Sequence, residues 1–476
     1  MEQPLTYLQN LTQNDWLIAD NSRQFQTIAE KLYLELTEIL KQHHKPLKII
    51  LAEREPVKFL ASFLAACAAN CSVFLCNPDW GTQEWEQVFT LVQPDIIWGI
   101  DYHTYLTRAE RPATANNTQH SSPSIQHSEL IMIPTGGSSG KIKFAIHTWE
   151  TLTASVQGFT EYFQLTQVNS FCVLPLYHVS GLMQFMRSFT TGGKLVIFTF
   201  KSVESIQIPS IQPSEFFLSL VPTQLQRLLQ NSELTQWLAQ FHTVMLGGAP
   251  AWQELLEKAR FHNIRLAPTY GMTETASQIA TLKPDDFLQG KINSGQILPH
   301  AQVTIRNQQG KVLQPHQIGN ITIQATSLAL GYYPHPGENQ DYLQVDDLGF
   351  LDDQGYLNII GRNSDKIITG GENVYPGEIE AAIRATQMVA DVCVIGVPDK
   401  YWGQALTAIY TPIDANIPTL EIKTVLQDKL SKFKIPKYWI CLDSLPRNAQ
   451  GKINRQALQQ IAAEFLHNHR EQATLK

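Results

Sequence analysis

Apolar and polar positions along the chain fall into two periods, one helical and one extended, and their alternation predicts a layered α/β architecture. Phe25, Ile28, Leu32, Leu36, Ile39 and Leu40 share one face of an amphipathic helix over 22–43. The apolar run at 48–52 then reads as a buried strand. Phe59, Phe63, Leu64 and Cys67 return to helical spacing, and 73–76 and 96–100 are further strands. Another apolar run, 130–133, predicts a strand stopped by Pro134. Thr148 is placed to cap a helix reaching about 163, with Glu150 in its first turn. A strand at 171–174 precedes a helix with Leu182, Phe185, Met186 and Phe189 on one side, closed by Gly192 and Gly193. A strand at 194–200 follows. Two more strand–helix units come next: 216–221 with a helix from Pro222, and 244–246 with a helix from Pro250. Strands alternating with helices predict parallel sheets covered on both faces, with ligands gathered at the C-terminal strand ends.

From about residue 290 the pattern changes. A hairpin at 303–313, a strand at 320–324 and a second hairpin at 349–360 describe a smaller β subdomain, about 290–361. The chain then crosses 362–365 into an α+β tail, 366–476, of about 110 residues, an ordinary size for a small domain. The expected organisation is therefore α/β, with a large N-terminal domain (1–361) followed by a small C-terminal one. Residues 107–128, rich in Pro, Asn, Ser, Thr and His, read as an exposed, poorly ordered connection.

Composition narrows the class. With 476 residues, 43% hydrophobic and 17% charged, the chain is an ordered globular protein able to bury a large core. A formal charge of −7 leaves no basic footprint for nucleic acid. Cys67, Cys71, Cys76, Cys172, Cys393 and Cys441 form neither a CxxC pair nor a metal-ligand spacing, so they read as free thiols of a reducing cytoplasm. The first residues lack a basic stretch followed by an apolar core, so no signal peptide is expected. The charge-free stretch 59–78 is long enough to raise a membrane question, but Ser62, Asn70, Ser72 and Asn77 interrupt it. A buried helix, a turn and a strand account for it better, and no integral membrane segment is expected.

The candidate chemistry starts at Thr135-Gly136-Gly137-Ser138-Ser139-Gly140-Lys141. Glycines that accept positive φ can turn several N–H groups toward an anion, and the hydroxyls and Lys141 add donors and charge. A plain Gly/Ser loop between strand and helix has the same composition. The phosphate loop G-x-x-x-x-G-K-[ST] is excluded, because three residues separate Gly136 from Gly140 and Ile142 follows Lys141. Thr269-Tyr270-Gly271-Met272-Thr273-Glu274-Thr275 offers a flat ring for a base, a hydroxyl for phosphate and a hard oxygen ligand for Mg2+. Read as structure, the same residues are a helix start, with Thr273 as cap. Asp347, followed by Gly361-Arg362, could accept from ribose hydroxyls beside a cation, or could be a turn residue. Lys452 ends a polar loop near the C-terminus, Pro446–Lys452.

In this order, T-G-G-S-S-G-K, P-T-Y-G-M-T-E-T, D-L-G-F, G-R-N-S-D-K-I-I-T-G-G-E-N-V-Y-P-G-E-I-E and P-R-N-A-Q-G-K resemble the adenylate-forming superfamily. That superfamily comprises acyl-CoA synthetases, peptide-synthetase adenylation domains and luciferases. The motifs run from Thr135 to Lys452; the departure is Ile142 and Phe144, where the family usually has Pro and Gly. The resemblance implies a two-step reaction with ATP and CoA as co-substrates and Mg2+ as the ion. A carboxylate attacks the α-phosphate, pyrophosphate leaves, the mobile small domain rotates, and a thiol displaces AMP. It also implies the residue roles. The loop Thr135–Lys141 would hold the leaving phosphates, Glu274 the Mg2+, and Asp347 with Arg362 the ribose. Gly247, Gly248, Ala249, Pro250, Thr269, Tyr270, Gly271 and Thr273 would surround the adenine and AMP. Lys452 would act at the reacting carboxylate, Ser364 or Asp365 would be the pivot, and Gly370 and Gly371 would lie at the CoA entry.

Within the superfamily the likeness is strongest to o-succinylbenzoate–CoA ligases of menaquinone and phylloquinone synthesis. His178-Val179-Ser180-Gly181-Leu182, Arg187 and Glu274-Thr275-Ala276-Ser277-Gln278-Ile279 carry it. The carboxylate that does not react needs a cation or several donors, and Arg187 could supply the charge, with His178 and Ser277 as further acyl-site residues. Read as structure, Arg187 is a surface arginine and His178 a structural histidine at a strand end. Met183, Phe185 and Met186 could pack on the ring or belong to the core. Another aryl- or acyl-CoA ligase, a stand-alone enzyme loading a carrier protein, and a catalytically dead nucleotide-binding protein are the alternatives. A homo-oligomer is compatible with all of these.

Overall fold

The structure is a computed structural model. It describes residues 2–10, 15–43, 45–100, 130–136, 142–337, 342–369, 372–399, 402–414, 416–427, 430, 434–447 and 452–474. The proposed connection 107–128 lies outside them, as do Gly137–Lys141, Gly370 and Gly371.

Among the described residues the N-terminal part is built on two sheets. One runs in space as His335–Pro336, Gly331–Tyr332, Ile142–His147, Ile131–Gly136, Ser72–Leu75, Lys48–Leu51 and Ile96–Trp98. The other runs Leu17–Ile18, Leu195–Ile197, Asn169–Cys172, Phe216–Leu220, Thr243–Leu246, Leu266–Met272, Ser277–Thr281 and Gln296–Ile297. The centre of each is parallel, as strand–helix alternation requires. Helices Pro56–Ala68 and Val179–Thr191 lie between them. The largest core cluster joins Ile49, Leu51 and Val73 of one sheet to Cys172 and Leu195 of the other through these helices. That position explains the charge-free stretch. Pro56–Ala68 is buried on every side, and no described helix is long and apolar enough to cross a membrane.

Two departures from strand–helix alternation matter for the site. Pro134 does not end its strand. Ile131–Gly136 continues through it and pairs antiparallel with Ile142–His147, Pro134 facing Phe144. Beyond Met132 the strand has this one neighbour, so the N–H that proline lacks is not needed on the other edge. The Gly loop thus links two paired strands rather than a strand and a helix. Likewise Thr269–Gly271 is not a loop at a strand end. It lies inside Leu266–Met272, which pairs antiparallel with Ser277–Thr281 across a short 3-10 turn, Thr273–Thr275.

The remaining residues form two further sheets. Ala301–Arg306, Gly319–Ala325, Leu343–Leu351 and Leu357–Arg362 make an antiparallel one. The hairpin expected at 303–313 reduces to a single bridge, Arg306 to Val312, because Ala301–Arg306 takes Gly319–Ala325 as its partner. The second expected hairpin is present but longer, Leu343–Leu351 with Leu357–Arg362. From Ile367 the chain builds a separate sheet, in which Val389–Asp399 and Gly403–Pro412 form the long central pair. Its own cores are Ile379, Val392, Ala408 and Ile422 on one face and Ile395, Ile409, Leu458 and Ala462 on the other. The fold is α/β with a large N-terminal domain and a small C-terminal one.

Candidate active site

The turn carrying Glu274 is held by its own carbonyls. His147 Nε2 donates to Thr273 O (2.8 Å), Ala329 N to Glu274 O (2.8 Å), and Ser327 Oγ to Thr275 O (2.9 Å). Ser155 Oγ donates to Ala276 O (2.7 Å) and Thr275 Oγ1 to Ser277 O (2.6 Å). Five successive carbonyls therefore have named donors. Such fastening sustains Ala276 at φ 50° and Ser277 at φ 102°, backbone values costly for residues other than glycine. Gly271 is needed for closeness: a Cβ there would lie 2.1 Å from Ser277 O. Thr273 does not act as the cap; Met272 N donates to Thr275 Oγ1 instead.

On this frame Glu274 projects half-buried and accepts from Tyr332 OH at 2.5 Å. Among the described residues, no group of three or more His, Cys, Asp or Glu side chains could hold a metal. A lone carboxylate suits Mg2+, which keeps waters and takes its other ligands from phosphates.

Tyr270 OH donates to Asp347 Oδ2 at 2.6 Å, and Arg362 Nε lies 3.5 Å from Asp347 Oδ1. Burial, then the Asp347 charge, raises the Tyr270 phenol far above its usual range, so it stays a donor. Asp347 and Arg362 are direct partners across their antiparallel strands. Gly247, Gly248, Ala249 and Pro250 follow the strand Thr243–Leu246 and lie beside Thr269: a Cβ on Gly247 would be 2.6 Å from Thr269 Oγ1. Thr135 and Gly136 end the strand Ile131–Gly136.

Lys452 reaches the same place from the C-terminal domain. Crowding lowers its ammonium pKa, Arg362 lowers it further, and Glu274 opposes both. Its charge also reaches His178, which caps the helix Val179–Thr191; burial first and Lys452 second push His178 down to about 4. The joint between the domains is anchored on both sides. Ser364 N (3.2 Å) and Oγ donate to Asp346 Oδ2, and Asp365 faces Arg455 Nε at 3.5 Å.

Arg187 is 4% exposed, and no carboxylate pairs with it among the described residues. Its Nη2 donates to Ser277 Oγ (2.9 Å) and Gln278 Oε1 (2.7 Å), and its guanidinium lies 4.4 Å from the centre of the Phe159 ring. Burial pushes its pKa down to about 9. Met183, Phe185 and Met186 on the same helix are core, packed with Phe25, Phe63 and Trp149, which settles their role as packing.

His147 and Tyr332, which touch the Glu274 turn, were not singled out by the sequence. A single histidine ending an apolar strand reads as core, and Tyr332 lies far along the chain from the motif it joins. Gln278 lay inside a motif, but with no charge to mark it was given no role.

Comparison with known proteins agrees with this geometry. The AMP-binding enzyme model matches residues 39–333, and the AMP-binding enzyme C-terminal domain model matches 378–452. A 2-succinylbenzoate–CoA ligase of Geobacillus sp. (strain WCH70) is 33% identical over 334 residues, 69% of this chain and 68% of the relative. That of Bacillus anthracis (strain A0248) is 33% identical over 342 residues, 71% and 70%. The structure of o-succinylbenzoate CoA synthetase from Bacillus subtilis, in complex with the acyl-adenylate intermediate OSB-AMP, superposes with a TM-score of 0.79 at 25% identity. It covers 96% of this chain and 98% of that one. The chain belongs to the AMP-binding enzyme family and, within it, to the family of the 2-succinylbenzoate–CoA ligases.

Proposed function

We propose that this chain is an AMP-forming acid–CoA ligase that converts o-succinylbenzoate to o-succinylbenzoyl-CoA, with ATP and CoA as co-substrates, in the cytoplasm. The observation that carries the substrate is Arg187. A buried guanidinium without a carboxylate is costly unless something anionic visits it, and a dicarboxylic acid brings one carboxylate to spare.

The residue roles are those the family resemblance implies, and charge and reach support them where the residues are described. Tyr270 and the Gly247–Pro250 segment flank the adenine, with Thr269, Gly271 and Thr273 beside it. Asp347 accepts from the ribose hydroxyls and Arg362 steadies it. Thr135 to Lys141 take the departing phosphates. Mg2+ bound with ATP neutralises phosphate charge, and Glu274 is the residue to hold it. Phosphoryl transfer of this kind is chiefly positioning and electrostatic stabilisation. Lys452 bridges carboxylate and phosphate oxygens as negative charge builds at the α-phosphate. His178, neutral, lines the acyl side with Ser277, and Arg187 holds the distal carboxylate. After pyrophosphate leaves, residues 366–476 turn about 362–365, with Ser364 or Asp365 as pivot, and Gly370 and Gly371 border the thiol's entry.

The test is pyrophosphate release with o-succinylbenzoate, benzoate and a medium-chain fatty acid, followed by CoA-dependent AMP release. Strong preference for o-succinylbenzoate is expected. Equal rates with all three acids would defeat the substrate assignment, and AMP release indifferent to CoA would point to carrier-protein loading.

A further inference from the structure

We propose that His300 is a specificity-determining residue: one ring nitrogen donates to the non-reacting carboxylate of an aromatic dicarboxylic acid held beside Arg187. The inference rests on the reading of Arg187 as the cation for that carboxylate. His300 precedes the strand Ala301–Arg306, far in sequence from Arg187, yet the fold lays both on one stretch of the helix Trp149–Phe163. The imidazole lies on Gly158, where a Cβ would fall 1.8 Å from Nδ1. The next residue, Phe159, underlies the guanidinium. A side chain larger than hydrogen at 158 would evict the ring.

Three side chains from three parts of the chain have donors with no partner among the described residues. Arg187 Nε, Gln278 Nε2 and both nitrogens of His300 are buried and unpaired. Gln278 itself is 5% exposed. Each such group gives up hydration for nothing in the protein, and a core filler would have been apolar. An incoming group that offers only acceptors, with negative charge, satisfies all three. A carboxylate is that group. Burial and the Arg187 charge hold the imidazole neutral, at about 4, so it retains one N–H to donate.

The experiment compares wild type, His300→Leu, His300→Gln and Gly158→Ala by pyrophosphate release, varying o-succinylbenzoate and ATP separately. His300→Leu should raise the KM for o-succinylbenzoate about tenfold or more, the range for a hydrogen bond to a charged group, with kcat and the KM for ATP within about twofold. His300→Gln, whose amide can donate, should recover most of that loss, and Gly158→Ala should resemble His300→Leu. An unchanged KM for o-succinylbenzoate in His300→Leu overturns the proposal. So does an equal rise in both KM values, the mark of a structural role. If His300→Leu does not fold, His300→Gln and Gly158→Ala decide by the same two constants. Failure of the underlying reading looks different: wild type would then show no preference for o-succinylbenzoate over benzoate, and Arg187→Leu would leave its KM unchanged.

Discussion

His147 is fully enclosed, and its protonation state follows from its neighbours. A carbonyl can only accept, so the hydrogen on Nε2 goes to Thr273 O, and Nδ1 takes the Thr151 hydroxyl at 3.0 Å. Burial pushes the ring down to about 4. The unfolded chain, near 6.5, therefore binds a proton that the native one refuses between these values. Stability is full above about pH 6.5 and is lost as pH falls toward 4, by up to ~1.4 kcal/mol per pH unit for this one group. His178 and His300 act in the same direction. Urea midpoints measured from pH 7 to 4.5 should fall, and His147→Gln should flatten the slope by about one proton; an unaltered slope would contradict the assignment. Arg187 makes a second residue-scale case. In Arg187→Met, Ser277 Oγ and Gln278 Oε1 still bond to each other at 2.6 Å, and a buried charge disappears. Its melting temperature should equal or exceed that of wild type while the KM for o-succinylbenzoate rises about tenfold or more. A large drop in melting temperature would mean that the guanidinium is structural.

At the scale of elements, the decisive unit is Leu266–Met272, its turn and Ser277–Thr281. Gly271→Ala sets a methyl against the Ser277 carbonyl and Gln278 Cα, both backbone atoms unable to swing aside. We expect a loss of about 2 kcal/mol or more in stability, read by urea unfolding, together with a larger loss of pyrophosphate release because Glu274 is displaced. Full activity in Gly271→Ala would show that the close approach is dispensable. This unit also shows what could be read in advance and what could not. Thr148 as a helix cap was legible, its Oγ1 accepting from Thr151 N, and residue type singled out Tyr270 and Glu274, which the fold sets within one strand and its turn. The direction of the chain was not. Period-two apolar runs look alike in parallel and antiparallel sheets, so neither the return at Ile142–His147 nor that at Ser277–Thr281 had a local signature. Four of the five donors to these carbonyls come from residues 52 to 126 positions away, and no local pattern encodes such pairings.

For the whole molecule, the C-terminal domain has its own cores, and among the described residues it meets the larger domain at Lys452, near Glu274 and Arg362, and at Arg384, over Trp252 at 5.4 Å. A single lysine brought in from a second body can serve one half of a reaction and be absent from the other. Lys452→Ala should abolish adenylation, measured as pyrophosphate exchange, yet largely spare thioester formation from preformed acyl-adenylate. Equal loss of both would argue against two working arrangements. The division into a large part and a small α+β part was legible from the polar crossing after Arg362, and the β subdomain ahead of it from the change of texture near 290. How the two parts meet was not, because contacts between separate cores leave no periodicity in either.

The crossing has one more consequence. Asp347, paired with Arg362, is next to Asp346, which grips Ser364. With Asp347 at the ribose as proposed, grip on the nucleotide and grip on the joint would belong to adjacent residues of one strand. On that reading, a rotation that frees Ser364 from Asp346 would act on the same backbone that presents Asp347, and would couple the departure of AMP to the return stroke of the small domain. Turnover would then be paced by the emptying of the site rather than by bond making, and a pre-steady-state burst of acyl-CoA should precede slower cycling.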